Sequence, residues 1–238
     1  MKPLFEADWV RALFVHYRVD ADVLQPQIPM PLDVRDGHAY VSLVAFTMRG
    51  LRFAGGGRLG AWLVAPVATH GLLNVRTYVT HQGESAIYFM NEWIPNRLSV
   101  LVGPRVYGLP YRYGRPEYRH EHESGSIRGS VEPGSGGRLA WHATLPEATR
   151  FRTSKAGSLS EFLLERYTAF TFARGRLRLF RIRHEPWWQT PVDTVILDDD
   201  ALAQTGPWHA AATLVESCYS PGVKGVLIGP PRRVTRVR

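Results

Sequence analysis

Runs with a two-residue period, rich in β-branched and aromatic side chains, dominate this chain and leave little of it for helix. Residues 12–19, 39–49, 72–80, 85–90, 139–145, 176–184 and 192–198 all read as strands. Ala39-Tyr-Val-Ser-Leu-Val-Ala-Phe46 is apolar on both faces, so it belongs deep in a sheet rather than at an edge. Helix signals are few. Asp20 can cap a short helix through Gln25, and residues 96–102 read as a second. Ser158-Leu-Ser-Glu161 is a capping box that opens an apolar-periodic helix through Phe162, Leu163, Arg166 and Tyr167. Many strands with a few peripheral helices predict an α+β fold, mostly β, built as an antiparallel barrel or sandwich. No repeat or linker divides the chain. One domain over residues 1–238 is expected, with its core at about 9–227 and a basic tail at 230–238.

At 238 residues, 45% of them hydrophobic, the chain can bury a large core. No stretch approaches the length of an apolar membrane helix, and residues 1–8 lack the hydrophobic region of a secretory signal. The expectation is a cytoplasmic protein without a membrane partner. Its single cysteine, Cys218, excludes an internal disulfide framework and follows an apolar run, so it reads as a buried inert thiol. The net charge of +8 comes from 26 arginines and only three lysines: Lys2, Lys155 and Lys224. The arginines are scattered, with clusters at 174–183 and at Arg232, Arg233, Arg236 and Arg238. No nucleic-acid-binding signature accompanies them. Specific nucleic-acid recognition is therefore not expected, and the tail at 230–238 reads as a solvated, frayed end.

Several motifs give way to plainer readings. Gly55-Gly-Gly-Arg-Leu-Gly60 formally matches the dinucleotide fingerprint, but Pro66 interrupts any following helix and no ribose-binding acid stands near position 80. A flexible loop is the reading preferred. His120-Glu-His122 places two imidazoles on one strand face. A third ligand such as His142 would have to arrive from a neighbouring strand, so a solvated surface strand is expected and no metal site. No hydrolase elbow, zinc-protease motif or cofactor motif occurs, and no cofactor is predicted.

Eight segments, in five groups in chain order, carry a family resemblance. They are Phe14-Val-His-Tyr-Arg-Val-Asp20 with Ile28-Pro-Met-Pro-Leu32, then Ala39 to Phe46, then Leu73-Asn-Val-Arg-Thr-Tyr-Val79 with Ile87-Tyr-Phe-Met90. Val102-Gly-Pro-Arg-Val-Tyr-Gly-Leu-Pro-Tyr-Arg-Tyr113 follows, and then Phe162 to Tyr167 with Tyr219-Ser-Pro-Gly-Val223. Together they resemble the YqjF-like branch of the acetoacetate decarboxylase-like superfamily, a branch of unknown function. In the decarboxylases a Gly-aromatic-Pro turn leads into two adjacent lysines; the first forms a Schiff base and the second lowers its pKa. Here Gly108-Leu109-Pro110 keeps the turn, and Tyr111 and Arg112 occupy the lysine positions. A phenol cannot form an imine, and a guanidinium is not nucleophilic. The resemblance implies the fold, without Schiff-base decarboxylation.

On the predicted strand at 72–80, alternation sets Asn74, Arg76 and Tyr78 on one face and Val75, Thr77 and Val79 on the other. If the valines pack outward, the polar trio points into the barrel. A guanidinium there needs a partner. The partner is either a carboxylate of the chain, Glu92 or Glu165, or an anionic ligand held in bidentate fashion. The decarboxylases carry an active-site glutamate in the corresponding strand. Asn74, Arg76, Tyr78, Tyr111, Arg112 and Glu165 are the expected ligand-binding residues. Tyr111 and His16 are the weak catalytic candidates, with a satisfied core histidine as the plainer reading of His16. Trp187-Trp188 is read either as pocket mouth or as packing surface. The expected partner is a small organic carboxylate, bound by a lyase or isomerase that transfers protons without a Schiff base. The alternative is a non-catalytic binding or sensing protein on a retired scaffold. The oligomeric state stays open.

Overall fold

The computed structural model describes residues 2–234. Four long strands lead: β1 (Phe5–Val19), β2 (Ala39–Phe53), β3 (His70–His81) and β4 (Glu84–Ile94). They are followed by β5 (Tyr111–Glu121), β6 (Ser126–Pro133), β7 (Leu139–Thr144), β8 (Thr168–Ala173), β9 (Arg176–Arg183), β10 (Thr190–Pro191), β11 (Asp193–Asp198), β12 (Thr213–Ile228) and β13 (Arg232–Arg233). The helices are α1 (Ala21–Leu24), α2 (Gly57–Val64), α3 (Arg97–Val106) and α4 (Leu159–Leu164).

Pairing runs antiparallel from β12 through β1, β2 and β3 to β4. It then returns through β8 and β9 to β12. The ladder thus leads back to its start around seven strands. Two of its seams are only two rungs long: Ile87↔Ala169 with Tyr88↔Phe170, and Leu227↔Arg183 with Ile228↔Ile182. A second layer of β5, β6, β7 and β11 leaves the ring where Glu92, Trp93 and Ile94 pair with Tyr111, Arg112 and Tyr113. Both β4–β5 and β4–β8 are parallel, so the sheet is mixed rather than wholly antiparallel.

Alternation along the long strands feeds two cores. Leu13, Val15, Val41, Leu43, Val75 and Val79 pack with Ile127 and Trp141 of the second layer. Phe14, Val44, Phe46, Tyr78, Ile87 and Phe89 pack toward the ring interior with Phe180 and Trp187. Residues 39–46 are buried throughout, as expected for a strand with a hydrogen-bonded neighbour on each side.

Other expectations change. Gly57–Val64 is a helix, not a flexible loop, and Gly56 sits at its N-cap with Phe53 too close for a side chain (2.9 Å from an added Cβ). The capping box does open α4, with Ser158 accepting from the Glu161 amide at 3.2 Å. That helix ends at Leu164, because Glu165 (φ −92°, ψ 73°) turns the chain toward β8; Arg166 and Tyr167 therefore lie beyond it. His120 is buried, not solvated, and its Nδ1–H donates to the Arg11 carbonyl at 2.6 Å. The sixteen-residue β12 carries Pro221 and Gly222, which hide its strand pattern. Gly222 adopts φ +121°, and a Cβ there would stand 2.2 Å from the Trp9 carbonyl oxygen. The start of the basic tail is not frayed: Arg232 and Arg233 pair with Leu179 and Arg178, and the Val234 amide donates to Leu177. Residues 235–238 lie outside the described residues. No helix of the described residues is long and apolar enough to cross a membrane.

Candidate functional site

The ring interior holds a cavity of about 510 Å³ with mostly apolar walls. Asn74, Arg76, Glu92 and Tyr111 contribute polar groups to one side of it. Strand alternation brings Asn74 and Arg76 inward, since Val75 and Val79 are taken up by the opposite core. Glu92 arrives from the next strand, opposite Asn74, and Tyr111 stands beside Glu92 at the start of β5.

A bulge decides the position of Glu92. The register slips between Val75↔Asn91 and Arg76↔Phe89, leaving one extra residue on β4. Side-chain parity changes there, so that Ile87, Phe89 and Glu92 all line the cavity.

Arg76 is 7% exposed and has no ion pair among the described residues. Its Nη2 donates to the Leu163 carbonyl at 3.1 Å, its Cζ lies 5.8 Å from the Phe14 ring centre, and its Nε has no hydrogen-bond partner. Glu165 is engaged elsewhere, accepting from the Trp187 amide at 3.0 Å and from the Tyr167 hydroxyl. Glu92 does not neutralise the cation either. Burial raises its carboxyl to about 8, so it is mainly protonated at neutral pH. Arg166, also on the cavity wall, offers a contrast: it is paired to Asp33 at 2.8 Å and lies 4.2 Å over Phe162.

Behind Arg76 runs a buried hydrogen-bonded chain. His16 Nδ1 is 2.7 Å from Ser42 Oγ, Ser42 Oγ is 2.5 Å from the Tyr78 hydroxyl, and Tyr78 donates to the Leu163 carbonyl at 2.9 Å. With the phenolic hydrogen committed to Leu163, Ser42 donates to Tyr78 and His16 Nδ1–H donates to Ser42. Burial, and then the charge of Arg76, lower the His16 pKa to about 3, so the imidazole is neutral. Its Nε2 has no partner.

The residues singled out by sequence therefore separate. Asn74, Arg76 and Tyr111 line the cavity, whereas Tyr78 and His16 sit in the chain behind its wall. Glu165 lies at the end of α4 and Arg112 points outward, donating to the Gln204 carbonyl at 3.3 Å. The Tyr111 ring packs on Gly103, where an added Cβ would stand 2.4 Å away. Burial, followed by the nearby Glu92 and Tyr107, pushes the Tyr111 phenol well above its ordinary range. Trp187 lines the cavity, and Trp188 is exposed. Cys218 is buried and its thiol is pushed up by burial and by Glu216. No lysine lines the cavity; Lys155 and Lys224 are exposed.

The ring, the second layer and the cavity make this an acetoacetate decarboxylase-like fold. The chain matches the acetoacetate decarboxylase of Legionella pneumophila with a TM-score of 0.66 at 14% identity, over 98% of this chain and 87% of that one. An acetoacetate decarboxylase-like enzyme from Sphingomonas wittichii RW1 matches at 0.66 and 17%, over 99% and 94%. The enduracididine biosynthesis enzyme MppR, complexed with pyruvate, matches at 0.66 and 17%, over 99% and 91%. At these identities the likeness establishes the fold alone. Within that fold the chain belongs to the DUF2071 family of uncharacterized conserved proteins, whose pattern matches residues 6–224. It is 32% identical to the uncharacterized protein YqjF of Bacillus subtilis (strain 168) over 183 residues, which is 75% of this chain and 72% of that protein.

Proposed function

We propose that the cavity binds a small organic carboxylate with an apolar body, its charged end held by Arg76. The observation that carries this reading is a buried guanidinium, open to an apolar cavity, with, among the described residues, no partner for its Nε and no carboxylate paired to it. Unpaired buried charge is costly, and a bidentate anion relieves that cost. The Asn74 Oδ1 and Glu92 Oε2 atoms are likewise without partners and offer polar contacts at the same end. A volume of about 510 Å³ suits a small molecule. That MppR is described with pyruvate bound supports a carboxylate as the ligand class on this fold.

Turnover, if the site supports it, is proton transfer of the lyase or isomerase type. The wall carries no lysine for an imine, and His16 stands behind the wall. A second reading, binding without turnover, is favoured by Arg112: it turns away from the cavity, so neither decarboxylase lysine position supplies a cation to a ligand. The expected compartment is the cytoplasm. Calorimetry with monocarboxylates and their matched amides tests the proposal. Carboxylates should bind to the native chain, while the amides and the Arg76→Met variant should show no binding. Equal binding of acid and amide would remove Arg76 from the site.

A further inference from the structure

Seven of the fourteen large apolar side chains exposed among the described residues lie on α2 and α3: Leu59, Trp62, Leu63, Leu98, Leu101, Val102 and Val106. Trp62 is 71% exposed and Leu59 70%, far from the surface norm for such residues. The two helices adjoin, since the Asn96 side-chain amide donates to the Pro66 carbonyl at 2.6 Å and both helices line the one cavity. Leu63, Leu98, Val102 and Val106 are at once exposed and cavity-lining, which places the cavity mouth between the helices.

The charge on the two helices has one sign, and the neighbouring Glu6 is taken up by an ion pair with Arg52. Residues 37–83 and 93–116 contain no Asp or Glu, and Arg58, Arg97 and Arg105 are exposed on the two helices. We infer that the α2–α3 face docks on the surface of an anionic lipid bilayer, against the sequence expectation of no membrane partner, which rested on the lack of a spanning segment. An apolar face bearing a tryptophan and flanked by arginines matches the layering of that surface, with acyl chains beneath and anionic headgroups above. A second copy fits less well. Two-fold pairing would set these arginines against their own counterparts, with no carboxylate in the patch to separate them. Docked in this way, the mouth opens onto the acyl region, and an apolar-bodied carboxylate can pass between bilayer and cavity. That last step alone rests on the proposed ligand; the docking rests on the surface chemistry.

The test is co-sedimentation of the full chain with phosphatidylglycerol/phosphatidylcholine vesicles and with phosphatidylcholine vesicles alone. Trp62→Ser combined with Leu101→Ser removes apolar contacts that do not line the cavity, and Arg58→Glu with Arg97→Glu reverses the charge. The native chain should pellet with the anionic vesicles, and each double variant should bind roughly tenfold more weakly. Thermal midpoints and carboxylate binding should be retained, so that failure of the docking and failure of the cavity assignment remain distinguishable. Equal pelleting of native chain and variants overturns the proposal. So does absence of native binding to anionic vesicles. A native dimer that Trp62→Ser/Leu101→Ser converts to monomer assigns the face to a second copy instead. Binding to polyglutamate without binding to vesicles assigns it to an acidic protein.

Discussion

Asn74 and Glu92 stand opposite each other on the β3–β4 ladder, each on the cavity wall and each with an oxygen that no group among the described residues satisfies. Burial is the dominant influence on Glu92, and its consequence can be measured. The folded-state pKa of about 8 lies above the ordinary carboxyl value of 4.5, so the folded chain keeps a proton that the unfolded chain releases. Stability should therefore fall as pH rises between those values, by about 1.4 kcal/mol per unit from this group alone. His16 and His120 act in the opposite direction. Their pKa values are lowered to about 3 and about 4, so their contribution is lost as pH falls below 6.5. Unfolded-state histidines are still half protonated at pH 6.5, and His70 and His184, also lowered by burial, add to the opposing contribution, which fades about one pH unit higher. Glu92→Gln keeps every histidine, so the stability difference between the native chain and this variant isolates the carboxyl. In denaturant titrations from pH 6.5 to 8 that difference should fall as pH rises; a difference that stays constant would show that Glu92 ionises normally.

Arg76→Met should change stability by less than about 1 kcal/mol in either direction. The Leu163 carbonyl still accepts from Tyr78, and no carboxylate is left behind. Arg166→Met should be far worse, costing about 3 kcal/mol, because it strands Asp33 in a largely buried position. Urea midpoints of the two variants give the comparison; similar large losses would mean that Arg76 holds an internal anion.

Treatment with acetoacetate and borohydride should leave no stoichiometric covalent adduct. The cavity wall contains no lysine, and Tyr111 and Arg112 follow the Gly108-Leu109-Pro110 turn. Intact mass spectrometry checks this, and a single stable adduct mapped to Lys155 or Lys224 would contradict it.

Gly108 and Gly175 have nearly the same backbone conformation, φ +74° and +71°, but different surroundings. A Cβ on Gly108 would meet Thr171 Oγ1 at 3.0 Å, whereas nothing lies within 4 Å of one on Gly175. Both Ala substitutions incur the left-handed backbone cost of roughly 1 kcal/mol. Only Gly108→Ala should lose more, since Thr171 Oγ1 is tied to the Tyr107 carbonyl at 2.6 Å and cannot yield freely. Equal thermal midpoints would remove any special role for the Gly-Leu-Pro turn.

Much of this architecture was legible in the chain. The two-residue period of residues 72–80 correctly separates the cavity face from the face toward the second layer, because both faces are buried against different partners. The place of Glu92 was not legible. Strict alternation from Ile87 and Phe89 turns position 92 away from the cavity, and only the bulge restores it. A bulge leaves no composition signal; its cause is the register of a neighbouring strand. The exposed apolar helix at Gly57–Val64 was masked for a different reason. Its glycines signal a loop locally, and the contact of Gly56 and Gly60 with Phe53 becomes visible only in three dimensions.

The division of β1 to β3 between two cores has a bearing on how such a chain can change. Side chains toward the second layer hold the strands in register by dense packing, independently of what lines the hollow on the reverse face. Mutations on the hollow face can then accumulate without loss of the framework, one residue at a time. A chain only 14% identical to an acetoacetate decarboxylase and 17% identical to a decarboxylase-like enzyme can thereby keep the same outline over nearly its whole length.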